Sequence, residues 1–281
     1  MKNAVLVTGA TGVLGKAVVK AAIDGRLSVR QAVRNQTKAI PNLEAVRLDY
    51  ADPTTINPAL AGISAIVLMA PPLDPNAPAL LAPVIAAAKA ATIQHIVFIS
   101  AFGVNHNEQA PLRVVEHLLM DSGIPFTIVR PNFFMENFSE GFLTPGIRGQ
   151  NAIFLAAGEG KTSFISANDI AAVVVTSLQQ SLVGKEFDLT GPAALDHAEV
   201  AKVISEASGR TVVYHSLTEQ QMLDGARAQG MPDPVVAYLG LLYSLVRAGL
   251  AAGVSNDFQA VTGREPTRFQ SFARSAASAW R

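Results

Sequence analysis

The 281-residue sequence predicts an α/β fold: a doubly wound parallel sheet with helices on both faces, followed by a smaller C-terminal α/β region. Three observations predict it. Short apolar runs recur at Ala4–Val7, Val29–Val33, Ala45–Leu48, Ala65–Met69, His95–Ser100 and Phe126–Val129. Segments of helical periodicity separate them, as the crossovers between parallel neighbours require. The runs also lack polar alternation, which is how strands buried between two helix layers read. Composition agrees, because 49% apolar and 16% charged residues are too apolar for a disordered chain. The length suits one large domain or one and a half.

The elements follow in order. After the first strand, Val13, Leu14, Ala17, Val18, Ala21 and Ala22 repeat at helical spacing until Gly25 stops them. Further helices are expected at 54–61, 78–91 and 109–122. From Pro131 the rhythm degrades: Gly141, Pro145, Gly146, Gly149, Gly158 and Gly160 fall among aromatics, as in loops lying over strand ends. A helix over 168–180 and a strand at Glu186–Leu189 are expected to return to the core sheet. Asp196 and Glu199 form a capping-box sequence opening a helix that ends at Gly209. A strand at Thr211–His215 follows, then helical sequence to about Gly249, and the Arg-bearing tail Arg264–Arg281 reads as a solvated end.

Charge and composition exclude several classes. With 22 Lys+Arg against 22 Asp+Glu and no long run of one sign, nothing offers a footprint for a nucleic acid. A small molecule is the expected partner of a monomer or homodimer. The absence of Cys removes disulfides, thiolate zinc sites and thiol nucleophiles, and the five His have no ligand-like spacing, so no metal is expected. Ala4–Val7 is too short for a secretory core, which fits a cytoplasmic chain. Val235–Val254 imitates a membrane span but contains Arg247, Ser244, Tyr238 and Tyr243, and reads as a packed helix.

The strongest chemical signal is Thr8-Gly9-Ala10-Thr11-Gly12-Val13-Leu14-Gly15, between the first strand and the first helix. Glycines there allow a tight turn, close approach to a pyrophosphate and close packing of helix on strand, while the helix N-terminus presents free N–H groups. Dinucleotide binding in a Rossmann-type fold follows, with 1–131 as the dinucleotide-binding core and 132–281 as a mixed substrate-binding and helical region. Two near-matches to a triphosphate-binding loop fail. Ala10 and Ala17 replace the required Gly and hydroxyl in one, and Leu155 replaces the opening Gly before Gly160-Lys161-Thr162 in the other. After the second strand stand Arg34 and then Lys38 with no acid, which selects NADP(H), since an acid there would bond a free ribose 2′-hydroxyl and Arg grips a 2′-phosphate.

Thr8–Gly15, Val33-Arg34-Asn35, Met69-Ala70-Pro71-Pro72, Ser100-Ala101-Phe102-Gly103, the stretch Ser122–Phe138, Ser166–Ala171 and Leu189-Thr190-Gly191 together resemble the NmrA-like family of atypical short-chain dehydrogenases. The likeness spans nearly the whole chain. It implies that Gly9, Thr11, Gly12, Val13 and Leu14 hold the pyrophosphate, Arg34 and Lys38 the 2′-phosphate, and Asp49 the adenine side. Ala70, Pro71, Pro72 and Ser100 would lie along the nicotinamide ribose, outside the carboxyl ends of parallel strands. Relatives of this kind reduce quinones, dyes or iminium ions with NADPH, and others are non-catalytic cofactor sensors.

The sequence departs from the superfamily at its acid–base pair. The four Tyr are followed four residues later by Thr54, Thr218, Leu242 and Arg247, so no Tyr-x-x-x-Lys exists. The helix that should carry it offers Arg113, Glu116 and His117. Ser100, His106 and His117 are the remaining candidates for proton donation. Phe102, Phe133, Phe134, Met135, Phe138, Phe142, Tyr238 and Tyr243 are expected to wall a flat apolar substrate. The reading is an NADPH-dependent reductase of aromatic, quinone-like or iminium molecules; the rival is an NADP(H)-sensing regulator acting through a protein partner.

Overall fold

The computed structural model describes residues 4–281. Seven strands form one parallel sheet: β1 (Ala4–Val7), β2 (Ser28–Val33), β3 (Ala45–Arg47), β4 (Ile63–Met69), β5 (His95–Ile99), β6 (Phe126–Pro131) and β8 (Lys185–Leu189). Their spatial order is β3-β2-β1-β4-β5-β6-β8, so the winding reverses between β1 and β4, where ligands sit in such sheets. Every residue of β1 and β5 is buried, the physical reason their sequences carry no polar alternation.

Helices α1 (Val13–Asp24) and α6 (Ala167–Gln179) cover one face, burying Val18, Val19, Ile170 and Val174 against β1, β4 and β6. On the other face lie α2 (Ile56–Leu60), α3 (Ala77–Ala90) and α4 (Pro111–Ser122), whose Leu81, Val84 and Leu119 pack on Leu6, Ile66 and Phe98. The helix expected over 54–61 is a 3₁₀ turn, Pro53–Thr55, continued by α2. The later return to the sheet is direct: β8 pairs in parallel with β6 from Thr127↔Lys185 to Pro131↔Leu189.

A second core lies beside the carboxyl ends of the strands. It contains α5 (Thr144–Gln150), β7 (Ala152–Leu155), α7 (His197–Ser208), β9 (Val213–Ser216), α8 (Glu219–Ala228), α9 (Asp233–Arg247) and α11 (Phe269–Ala276), while α10 (Asp257–Thr262) packs on the main sheet. The strand expected at Thr211–His215 is β9, shifted along the chain, and its parallel partner β7 was hidden among Gly and Pro. The capping box holds, with Asp196 accepting from the Glu199 N–H and Glu199 returning to the Asp196 N–H. Gly230, at φ +80°, and Pro232 divide the long helical sequence into α8 and α9. α9 has 15 residues, and no described helix is long and apolar enough to cross a membrane.

The tail corrects the expectation of a solvated end. Phe269, Phe272 and Ala273 form one helical face buried in the second core, and Trp280 is 0% exposed. The Trp280 indole donates to the Phe138 carbonyl at 2.7 Å. Arg residues at intervening positions disguised this apolar face.

Candidate coenzyme and acceptor site

At the reversal point the chain leaves β1 through Thr8, whose buried hydroxyl donates to Val67 O (3.2 Å) and accepts from the Met69 N–H (2.8 Å). That side chain ties the first turn to the end of β4. Gly9 then adopts φ +59°, in the left-handed region that glycine occupies without a Cβ penalty. A Cβ on Gly15 would lie 2.0 Å from Gly9 O and 2.7 Å from Ala10 Cα, so no side chain fits there. Gly12 caps α1 without a side-chain hydrogen bond, and the first turn of α1 has no acid. Its N–H groups and positive dipole end are therefore free for an anion.

The end of β2 supplies exposed Arg34 and Lys38, neither of which enters an ion pair among the described residues, whereas nearby Arg47 pairs with Asp52 at 3.2 Å. Asn35 shapes the loop between them by accepting from the Thr37 N–H at 3.0 Å. Asp49 follows β3 and accepts from the Ala51 N–H at 3.1 Å. Ala70 and Pro71 are half-buried and Pro72 exposed, directly after β4. These residues fit a dinucleotide phosphate: bare backbone where it must approach, free donors, and cations with no competing acid.

Ser100 directly follows β5 and is 5% exposed, its hydroxyl set beside the Glu116 carboxylate without a well-formed hydrogen bond. Beneath it lies a buried ion network. Arg130, on β6, donates from Nε to Glu116 Oε1 and from Nη2 to Glu116 Oε2, both at 2.8 Å, and also to Glu186. Arg113 adds a third bond to Glu116 at 2.9 Å. Burial pushes the Glu116 carboxyl up, but Arg130, the Ser100 hydroxyl and Arg113 outweigh it and hold it below the ordinary carboxylate range. α4, where the superfamily carries Tyr and Lys, thus holds a locked ion pair. His117 pairs with exposed Glu108, and His106 is exposed in the 3₁₀ turn after β5; the structure brings neither to Ser100 within hydrogen-bond range.

The aromatic residues separate. Phe102, Phe133 and Phe134 are half-buried near the ends of β5 and β6. Phe134 joins the sheet core, and Phe133 packs on Tyr243 with ring centroids 5.8 Å apart. Tyr243 is 2% exposed and backs Phe133, while Tyr238 is half-buried and Phe142 exposed. Met135 and Phe138 are corrections to the expected wall, since they are 1% and 0% exposed. The 3₁₀ turn Met135–Phe138 points both inward, and Phe138 meets Phe164 and Phe269 edge to face at 5.2 and 5.5 Å.

Sequence reasoning missed several buried polar residues. Asn132 Nδ2 donates to Ala251 O and Ser163 Oγ, each at 2.8 Å; the Ser163 hydroxyl donates to Gly253 O at 2.5 Å; Thr190 Oγ1 accepts from the Ser255 N–H at 2.9 Å. Their partners lie far along the chain, so no local spacing announces them. Glu136 accepts the Ala167 N–H at the start of α6 through both oxygens at 3.0 Å. Burial pushes its carboxyl up to about 7 against that bond, and Glu140 and Asp169 push the same way. His197 sits among Phe138, Phe164, Tyr214 and Tyr243, and burial pushes its imidazole down to about 4.

An open parallel sheet with a glycine turn and an uncapped helix end at its reversal point defines a dinucleotide-binding α/β protein. The chain belongs to the NAD(P)H-binding family, which matches residues 9–181, and is an NAD(P)H-dependent oxidoreductase of the NmrA-like, Rossmann-type group. It is 32% identical to the NAD(P)H azoreductase of Xenophilus azovorans, over 98% of this chain and 99% of that one. It is 31% identical to an agroclavine dehydrogenase of Claviceps purpurea, over 99% of this chain and 98% of the other. Among solved structures, the NADPH-dependent quinone oxidoreductase of Escherichia coli superposes with a TM-score of 0.81 at 25% identity, covering 99% and 100% of the two chains. Citrobacter triphenylmethane reductase, in complex with NADP(H), shares the fold with a TM-score of 0.83 at 24% identity over 97% and 99%.

Proposed function

We propose that this oxidoreductase prefers NADPH and reduces a flat aromatic, quinone-like or iminium small molecule, with 1–131 as its coenzyme-binding core and 132–281 supplying the acceptor side. The observation that carries the acceptor class is Glu116, 0% exposed and pinned by Arg130 and Arg113 on the helix that should provide a proton donor. The locked Glu116 is no proton donor for an alkoxide product, and His117 on the same helix is turned to Glu108. Acceptors whose charge is delocalised or already positive need less such help. Azo and quinone substrates named for the relatives agree with this chemistry.

When bound, the coenzyme supplies the hydride. Gly9, Thr11, Gly12, Val13 and Leu14 receive the pyrophosphate at the start of α1. Arg34 and Lys38 bind the 2′-phosphate, and Asp49 borders the adenine. Ala70, Pro71 and Pro72 support the nicotinamide ribose, with the Ser100 hydroxyl beside it. Phe102, Phe133 and Phe134 orient the acceptor by stacking, backed by Tyr243 and flanked by Tyr238, and positioning rather than proton transfer supplies the acceleration.

NADPH and NADH titrated into wild type and Arg34→Asp test this reading, together with NADPH oxidation across quinones, azo dyes and cyclic iminium ions. Removing a charge-assisted phosphate contact is expected to weaken NADPH by about 1.5–3 kcal/mol with NADH little changed. An unchanged coenzyme preference removes the role of Arg34. NADP(H) binding with no turnover of any acceptor assigns the chain to redox sensing instead.

A further inference from the structure

Between α9 and α10 the chain runs without regular structure over 248–256, crossing the carboxyl ends of the sheet as a strap. Buried side chains beyond the strand ends hold it down. Asn132 Nδ2, after β6, and the Ser163 backbone N–H both donate to Ala251 O, the Ser163 hydroxyl donates to Gly253 O, and Thr190 Oγ1, after β8, accepts from the Ser255 N–H. Asn132, Ser163 and Thr190 are 4%, 0% and 0% exposed, so these bonds form in surroundings where an unmade one is costly. The strap therefore occupies a fixed place, unlike an ordinary surface loop.

A fourth anchor is apolar. Gly253 lies against Phe102, the aromatic residue that follows β5. A Cβ on Gly253 would stand 3.0 Å from Phe102 Cζ and 3.6 Å from Cε1, and would meet nothing else within 4 Å. Gly253 does not occupy the left-handed region, so a larger residue is backbone-compatible there. The absent side chain thus leaves room for one thing, the edge of the Phe102 ring.

We propose that Gly253 is a specificity-determining position: bare backbone on the strap lets the Phe102 ring lie back, and so sets the width available to a planar acceptor at the end of β5. The proposal rests on the reading of Phe102 as part of the acceptor wall. A methyl group at 253 displaces the half-buried ring, because the strap is anchored and the ring is the flexible partner. The ring moves into the space that a broad acceptor needs. Narrow acceptors and the coenzyme, which is held at the β1–α1 turn and the end of β2, are spared.

The test compares wild type, Gly253→Ala, Phe102→Leu and the double variant. Binding to the NADP⁺-loaded protein is followed by the absorbance shift of a three-ring triphenylmethane dye and by competition with a one-ring benzoquinone; NADPH oxidation is measured in parallel. In Gly253→Ala, dye affinity relative to quinone affinity is expected to fall roughly tenfold or more, the scale of small steric changes in a pocket. Phe102→Leu is expected to shift the ratio the other way, and the double variant to return to near the wild-type ratio. An unchanged ratio in Gly253→Ala, the same loss in the double variant, or a wild type that binds neither acceptor overturns the proposal. A wild type that binds the dye without oxidising NADPH overturns the reductase reading alone, and the binding ratios still decide the role of Gly253. Should Gly253→Ala fail to fold, a Phe102→Leu ratio identical to wild type overturns it.

Discussion

Gly15 cannot change without moving the turn made by Gly9, because its missing side chain is the space that Gly9 O fills. Gly15→Ala is expected to cost about 1–3 kcal/mol of stability through overpacking, and to weaken NADPH because the pyrophosphate-facing turn must open. Thermal unfolding and calorimetric titration check both; wild-type values in the two measurements would remove the steric account. The three glycines were legible in the sequence because strand, turn and helix are consecutive there. Arg34 and Lys38 were legible for the same reason, since they directly follow a recognisable strand. Asn132, Ser163 and Thr190 were not: each acts on a carbonyl or N–H that only the fold brings near, from as far away as Ala251.

Two buried carboxylates impose opposite pH dependences on the elements they join. Glu116 links α4 to β6, and its carboxyl is held below the ordinary range, so the folded state binds fewer protons than the unfolded one in acid. Its contribution is complete above the unfolded carboxylate pKa and is lost as pH falls through the folded one. Arg130→Met leaves the buried Glu116 carboxylate with Arg113 as its remaining guanidinium partner, and about 3 kcal/mol of stability, the low end for a broken buried pair, is expected to disappear at neutral pH in urea denaturation. A loss under about 1 kcal/mol would show the pair to be dispensable. Glu136 caps α6 with a carboxyl raised from 4.5 to about 7. Here the folded state holds the proton that the unfolded state has released, so this contribution is present in acid and declines as pH rises across that window. Wild type should lose up to about 1.4 kcal/mol per pH unit there, and Glu136→Gln, titrated by urea at several pH values, should flatten the slope. Parallel curves for the two proteins would refute the assignment.

The described residues form three hydrophobic clusters, one on each face of the sheet and one beside its carboxyl ends, and the C-terminal segment joins the last. Trp280 is wholly buried in it and bonds back to Phe138 O, in the turn that follows β6. Trp280→Ala is expected to cost about 3–5 kcal/mol and to disturb the acceptor side more than the coenzyme side, since α1 and β2 pack in the two sheet clusters. Calorimetric unfolding with and without NADPH reads this: NADPH affinity should stay near wild type while the unfolding temperature falls. An unfolding temperature unmoved by the substitution would mean that the tail is not part of the cooperative unit.

Local chemistry carried the sheet, its crossovers, the glycine turn and the cationic end of β2, because strand periodicity, capping and turn residues act within a few positions. Contact between distant segments decided the rest. A Phe in a loop beyond a strand end reads alike whether it faces substrate or core, and packing alone turned Phe138 inward and left Phe102 half-buried. Packing also converted a basic-looking tail into core, and laid the strap across the strand ends on bonds from Asn132, Ser163 and Thr190, since burying apolar area and satisfying enclosed polar groups are properties of the assembled chain.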